Sequence, residues 1–348
     1  MGMKRSGWFV AGALFFLPAT LPAQTATGAS FLQITPSPRS YALGMSKGVT
    51  SLGAQAVGAN PANLGLMTKR FEVFSSYGAL MGGAQYQHLS AAFKASAGQT
   101  IDALGVSVTR LGLGNVQGAD ANGNMTGDSF SGADTAVSLT GSASLSPNLR
   151  VGLTGKALQS EIAGYKSNMV LASDLGLTYT FPQLSRPLSI GASVTNLGQG
   201  MRFLDQTDPL PTSVNLGAAF LWGPAMIIME ANRLMAENKT EMGMGLEWGL
   251  GPVAFRTGYL GQSESSNNLA LKDQPAYVRM LSGLSFGLGL QVGAVNFEYA
   301  VSQMAVEYGT THRVAMTLRW GAPRVAAASS EWKLQDRSDW LIRPMGSY

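Results

Sequence analysis

Between about residue 69 and residue 320, the chain breaks into short segments in which large apolar residues recur at every second position. Gly, Ser, Thr, Asn or a charge fills the positions between. VGLTGKAL, LGLTYTF, LSIGASV, VNLGAAFLW, MGMGLEWG and VNFEYAV all have this form. A period of two is a strand with two unlike faces. In the clearest strands every charge falls on the small-residue face: Arg150, Lys156, Asp174, Glu241, Glu247, Arg256, Glu298, Arg313 and Arg319. A charge at a lipid midplane costs roughly 2–4 kcal/mol, whereas in a wet lumen of mixed sign it finds partners. Such segregation predicts strands whose apolar side meets lipid. In THRVAMTLRW that side carries Val314, Met316, Leu318 and Trp320.

About fourteen such segments can be counted, an even number inside the range of bacterial outer-membrane barrels. Their connections alternate in length. The turns near Pro147, Pro224, Pro252 and Gly293 are tight, while GNVQGADANGNMTGDSFSG, NLGQGMRFLDQTDPLP and the stretch from about Gln262 to Arg279 are long and polar. Short turns at one rim and long loops at the other belong to an up-and-down barrel, and a Greek-key sandwich does not require them. The expected fold is therefore all-β, a transmembrane antiparallel barrel of about fourteen strands over residues 69–320. Trp222, Trp248 and Trp320 at strand ends fit an aromatic girdle.

Composition agrees. Only 13% of residues are charged and 43 are glycine, against usual shares of roughly 25% and 7%. Mean hydropathy is nevertheless only +0.10. After the first two dozen residues no apolar run reaches the 18 or so that a spanning helix needs. The net charge of +4 is scattered, which leaves no nucleic-acid footprint. Absence of cysteine excludes disulfides, a lipoprotein anchor and thiolate metal sites.

At the N-terminus, Lys4 and Arg5 precede the apolar run WFVAGALFFL and the small-residue exit LPA, which reads as a signal peptide over residues 1–23 and places the protein in the bacterial outer membrane. Residues 24–68 do not alternate. SLGAQAVGANPANLGLM reads as two short helical pieces around a turn, a plug or hatch whose turn is Asn60, Pro61, Ala62 and Asn63. Beyond Trp320, residues 321–348 carry mixed charge and are expected on the periplasmic side, where an even strand count leaves both termini. The closing strand, with its alternation and terminal aromatic, reads as an internal assembly signal.

These features carry a resemblance. FLQITPSPRSYALGMSKGVTSLGAQAVGANPANLGL resembles the N-terminal signature of the PorV/PorQ family within the FadL-like outer-membrane barrels. The likeness continues through VTNLGQGMRF, PLPTSVNLGAAF, GMGLEWGLGPVAFRTGY and LSFGLGLQVGAVNFEYAVS to GTTHRVAMTLRW, nearly all of residues 31–320. It implies fourteen strands and a small plug. It also implies a role in protein export of the type IX kind, with secreted substrates or secretion components as partners. The wider FadL-like class implies passive transport of a hydrophobic small molecule instead. Two departures stand out: the extra tail, and NPAN in place of the commoner NPAG, which puts Asn63 where a left-handed glycine is expected.

Signals for chemistry are weak. His88 and His312 fall on strands that are near neighbours around a closed barrel, but no Ser-His-Asp spacing accompanies them, so no enzyme is expected. DANGNMTGD, with Asp120, Asn122, Asn124 and Asp128, echoes a calcium loop without its sixth-position Gly or twelfth-position Glu and reads as a solvated loop. No metal or cofactor is expected. Glu230, Glu247, Arg256 and Glu298 are candidates for an ionic network in the lumen, with outer-membrane lipid outside.

Overall fold

Fourteen antiparallel strands close into a barrel in which each strand pairs with its sequence neighbours and the last pairs with the first. The computed structural model describes residues 27–95, 100–114, 116–119, 125–181, 187–203, 205–262, 283–303 and 310–322. The barrel strands are β1 (Phe71–Ala79), β2 (Gln85–Lys94), β3 (Ala103–Gly112), β4 (Gly132–Ser144), β5 (Leu149–Ile162), β6 (Val170–Phe181), β7 (Leu188–Gly198), β8 (Ser213–Trp222), β9 (Ala225–Leu234), β10 (Lys239–Leu250), β11 (Val253–Gln262), β12 (Leu284–Val292), β13 (Val295–Gln303) and β14 (Thr310–Trp320). The seam runs from Phe71 opposite Trp320 to Ala79 opposite His312. Closure leaves no unpaired edge, which is what lets a sheet sit in hydrocarbon. Among the described residues no helix is long and apolar enough to cross a membrane.

The tight turns expected near Pro147, Pro224, Pro252 and Gly293 join β4–β5, β8–β9, β10–β11 and β12–β13, all at one rim. The opposite rim carries the connections after β3 and β7, each with a small hairpin of its own: Val116–Ala119 with Met125–Phe130, and Met201–Phe203 with Gln206–Asp208. Side chains alternate as the pattern demands. Val106, Val108, Leu153, Leu175, Met244, Phe286 and Met316 point outward, while Ser107, Thr109, Thr154, Asp174, Arg256, Glu298 and Arg313 are buried inward. Val314, Met316, Leu318 and Trp320 are 50, 44, 37 and 44% exposed, as a face bathed in lipid must be in the protein alone. The segregation has an exception in Arg110, exposed on the outer face next to the long-loop rim. There a long side chain reaches head groups rather than hydrocarbon.

Trp222, Trp248 and Trp320 all emerge at the tight-turn rim. Trp320 stacks on Phe71 across the seam with ring centroids 5.6 Å apart, and Arg70 lies over the rings of Phe71 and Phe93. Amphipathic rings at one level form the belt of a membrane interface.

Residues 27–67 run inside the barrel. Their short helices are Ser30–Gln33, Pro38–Ala42, Gly53–Ala56 and Pro61–Leu66. Both barrel ends, Phe71 and Trp320, lie at the tight-turn rim, but the chain ahead of β1 does not stay there. Gly28 N–H donates to the carbonyl of Pro209, and Gln33 donates to Glu237 in the β9–β10 connection. The inner segment thus spans the lumen from the long-loop rim, at residues 27–33, back to β1. Counting strands locates the ends of the barrel, not the path of forty residues folded within it. The signal peptide, the Asp120–Asn124 part of the calcium-like loop, residues 263–282 of the long polar stretch after β11, and the tail from residue 323 lie outside the described residues.

Candidate functional site

The site is the lumen and the segment inside it, and the NPAN turn shows how the two fit. Asn60 caps the Pro61–Leu66 helix: its backbone is extended (φ −97°, ψ 108°) and its side-chain oxygen accepts from the Ala62 N–H at 3.1 Å. Pro at the first helical position suits this start. The Asn60 side-chain amide donates to the carbonyls of Gly48, at 2.8 Å, and Leu177, at 3.2 Å. Asn63 does not adopt the left-handed conformation expected of it, because it lies inside the helix. Its side chain is used instead, donating to the Gly48 carbonyl at 2.9 Å and accepting from Thr178 Oγ1 at 2.7 Å. Asn60, Pro61, Ala62 and Asn63 are all fully buried or nearly so. The close approach needs bare backbone on the wall: a Cβ on Gly176 would lie 2.1 Å from Asn60 Oδ1, and one on Gly152 would lie 2.3 Å from the Pro61 carbonyl carbon.

Of the four charges expected to form a network, three meet. Arg256 on β11 contacts Glu247 on β10 at 2.7 Å and Glu298 on β13 at 3.4 Å. The fourth member is Arg39 of the inner segment, whose guanidinium bridges both Glu247 oxygens, at 2.7 and 3.0 Å, and donates to the Thr50 carbonyl at 2.6 Å. Burial by itself would lower the Arg39 pKa, yet Glu247 more than offsets this and holds it above the ordinary arginine value. Gln55 extends the cluster by donating to Glu298 and Thr317. Glu230 stands apart. Its carboxylate receives the Lys47 N–H at 2.7 Å, the Gly48 N–H at 2.8 Å and the Ser46 hydroxyl at 2.7 Å, so it grips a backbone turn rather than a cation. Glu72 does both: one oxygen receives the Ala54 N–H at 3.0 Å and the other pairs with Arg319 at 3.2 Å.

The opposite wall is different. In the half nearer the long-loop rim, β2–β6 turn Tyr86, Leu111, Ala136, Leu158 and Val170 inward, where they pack with Phe31, Met201 and Leu210 in one apolar cluster. Below it, Lys156 on β5 pairs with Asp174 on β6 at 2.8 Å and with Asn196 Oδ1 at 2.7 Å. A bulge in β7 makes this possible: the register with β6 slips between Val194 and Leu197, and Asn196 takes φ 61°. Between cluster and ion pair lies a small cavity of about 20 Å³, room for about one water.

His88 and His312 are not brought together. His88 is buried facing the cavity, whereas His312 faces outward beside Tyr299, so β1 and the thickness of the wall separate them. Among the described residues no three His, Asp or Glu side chains could hold a metal.

No protein-family model matches the chain, and no curated protein matches it. Solved structures do. The Ralstonia pickettii toluene transporter TbuX superposes with a TM-score of 0.56 at 16% identity, over 82% of this chain and 98% of its own. The Pseudomonas putida toluene transporter TodX gives 0.56 at 14% identity, over 81% and 96%. A Pseudomonas aeruginosa FadL homologue gives 0.51 at 9% identity, over 82% and 98%. At these identities the likeness concerns architecture: this chain has the fold of the FadL-like outer-membrane barrels.

Proposed function

We propose that the protein is a non-enzymatic outer-membrane channel through which small hydrophobic molecules enter passively, with the long-loop rim outside the cell and residues 24–68 serving as a hatch. The observation that carries this reading is the apolar cluster on β2–β6, which puts inward apolar side chains from five strands in the half of the lumen next to the long-loop rim, while the inward cluster of Leu221, Met226 and Ile228 lies toward the tight-turn rim. An inward apolar patch next to the outer rim has no role in an aqueous pore. It offers a hydrophobic solute a place to leave the membrane or the medium. The toluene transporters TbuX and TodX, which share this chain's fold, support the same direction. Passage requires the inner segment to yield, and a solute arriving from the long-loop rim meets residues 28–34 of that segment first.

The protein-export role implied by the PorV/PorQ resemblance, with secreted proteins or secretion components as partners, has no such observation behind it. β14 remains our candidate for the strand read during assembly, through Val314, Met316, Leu318 and Trp320.

The test is the initial rate of toluene uptake by cells expressing the full-length protein, against cells lacking it, with assembled barrel verified by heat-modifiable gel migration. We expect faster uptake, and a further rise when Asn60 and Asn63 are both replaced by Ala to loosen the hatch. Equal rates with and without an assembled barrel would overturn the reading.

A further inference from the structure

His88 is 3% exposed among mainly apolar neighbours on the inner face of β2. Its Nδ1 shares a hydrogen bond with the Thr109 hydroxyl at 2.8 Å, while its Nε2 is buried with no partner. The ring lines the small cavity together with Phe31, Leu32, Ile34 and Tyr86. A buried nitrogen left unpaired is unfavourable, and a site that keeps one gains by meeting a ligand that satisfies it.

The rest of the lining limits what that ligand can be. Lys156 is the one Lys, Arg, Asp or Glu among the lining residues, and its ammonium already holds Asp174 and Asn196. An incoming anion would find no unspent positive charge and would be buried without a counter-ion. A pure hydrocarbon would leave Nε2 unpaired. A carbonyl or ether could accept only if Nε2 carries the proton. A hydroxyl suits either state: if the Thr109 hydroxyl donates to Nδ1, Nε2–H donates to the ligand oxygen, and if Nδ1–H donates to Thr109, the ligand O–H donates to Nε2.

We propose that this cavity is a selectivity site for neutral, mainly apolar molecules bearing one hydroxyl group, such as phenols and short alcohols, with His88 Nε2 as the residue that recognises the hydroxyl. The proposal rests on the uptake reading and names its substrate class. At about 20 Å³ the cavity is a niche that an entering molecule enlarges. The side chains that move are Phe31 and Leu32, in the Ser30–Gln33 turn, and Ile34 just after it. That turn has no side-chain cap at its N-terminus.

Three probes of one shape separate the terms: p-cresol carries the hydroxyl, toluene lacks it, and p-toluate carries a charge. Uptake is measured in cells expressing the full-length protein, after subtraction of the rate in cells without it. We expect p-cresol to enter roughly tenfold faster than toluene, the worth of one well-made hydrogen bond, and p-toluate slowest. His88→Phe should bring p-cresol down to the toluene rate, and His88→Gln, which keeps a polar group there, should retain part of the preference. If His88→Phe does not give a heat-modifiable barrel, His88→Met serves for the same comparison. Equal entry of p-cresol and toluene in the wild type, or a p-cresol preference that survives His88→Phe, overturns the proposal and leaves uptake standing; the first result would mean that the niche holds a water only. No protein-dependent entry of any probe overturns uptake and the proposal together.

Discussion

Two sides of the lumen hold the same inner segment by different means. On β10, β11 and β13, Glu247, Arg256 and Glu298 take Arg39 and Gln55 into a buried network in which directions and distances are set by charge-assisted bonds. On β2–β6, in the half toward the long loops, Phe31 is held by apolar contact alone among Tyr86, Leu111 and Leu158. The first kind of contact fails abruptly when one member is lost, because the others are left charged and buried. The second weakens in proportion to the area lost and tolerates a substitute molecule of similar polarity. The contrast divides the segment into a part held by buried charge, residues 37–56, and a part, residues 28–34, that is tied to the barrel at its ends by Gly28 and Gln33 but meets β2–β6 through apolar contact at Phe31.

The strongest way to break this contrast is to remove the anion at the centre of the charged side. Glu247→Ala leaves Arg39 and Arg256 short of their shared partner, and we expect a loss of about 3–5 kcal/mol in docking of the inner segment. Hydrogen exchange over residues 37–56 should accelerate accordingly while the barrel remains heat-modifiable. Unchanged exchange there would show that the network does not anchor the segment.

A smaller effect is expected on the other side. Leu158 is fully buried in the apolar cluster, and Leu158→Ala should cost about 2–3 kcal/mol, the lower part of the usual range because the cluster borders a cavity and can partly collapse. The enlarged space should hold apolar solute, so toluene uptake should rise rather than fall. A drop in uptake with intact barrel would mean that the cluster is packing and not path.

The mildest test uses pH. Burial pushes the Lys47 ammonium below the ordinary lysine value, against the pull of Glu241 and Glu230. Between that lowered pKa and the ordinary one, the undocked segment binds more protons than the docked one, so docking strengthens as pH rises through that window. Exchange over residues 44–50 should slow, by no more than a few-fold, on raising pH there, after correction for intrinsic rates. Lys47→Met should flatten the response, and a slope of opposite sign would contradict burial as the dominant cause.

How far the sequence foretold this depends on which solvent each residue answers to. The barrel strands were legible because lipid outside and polar contents inside impose opposite demands on alternate residues, so Val314 and Arg313 declare their faces by type. The inner segment has no such periodicity. Arg39 looked like one more scattered cation because its partner lies 208 positions away. Glu230 was grouped with the ion network by charge, but two of its three partners are backbone N–H groups, which every residue type except proline supplies, and the third is the Ser46 hydroxyl. The NPAN turn could be located, yet Asn63 was judged by its backbone when its side chain was what mattered. For the apolar wall a signal was present and unused: Tyr86, Leu111 and Leu158 are large residues on the small-residue face, all toward the long-loop ends of their strands.

The seam between β1 and β14 bears on how such a molecule comes to exist. It joins the two ends of the barrel, and three residues upstream of β1 begins a segment whose partners are spread around the whole wall. Arg313 on β14, for example, donates to the Thr35 carbonyl 278 positions earlier in the chain. Contacts so distant along the chain form late and slowly, since the loop they close must be ordered before they contribute anything. The contents therefore have to be enclosed while the wall is still open, and a nascent chain ending before β14 would lack both its last staves and the grip on what they surround.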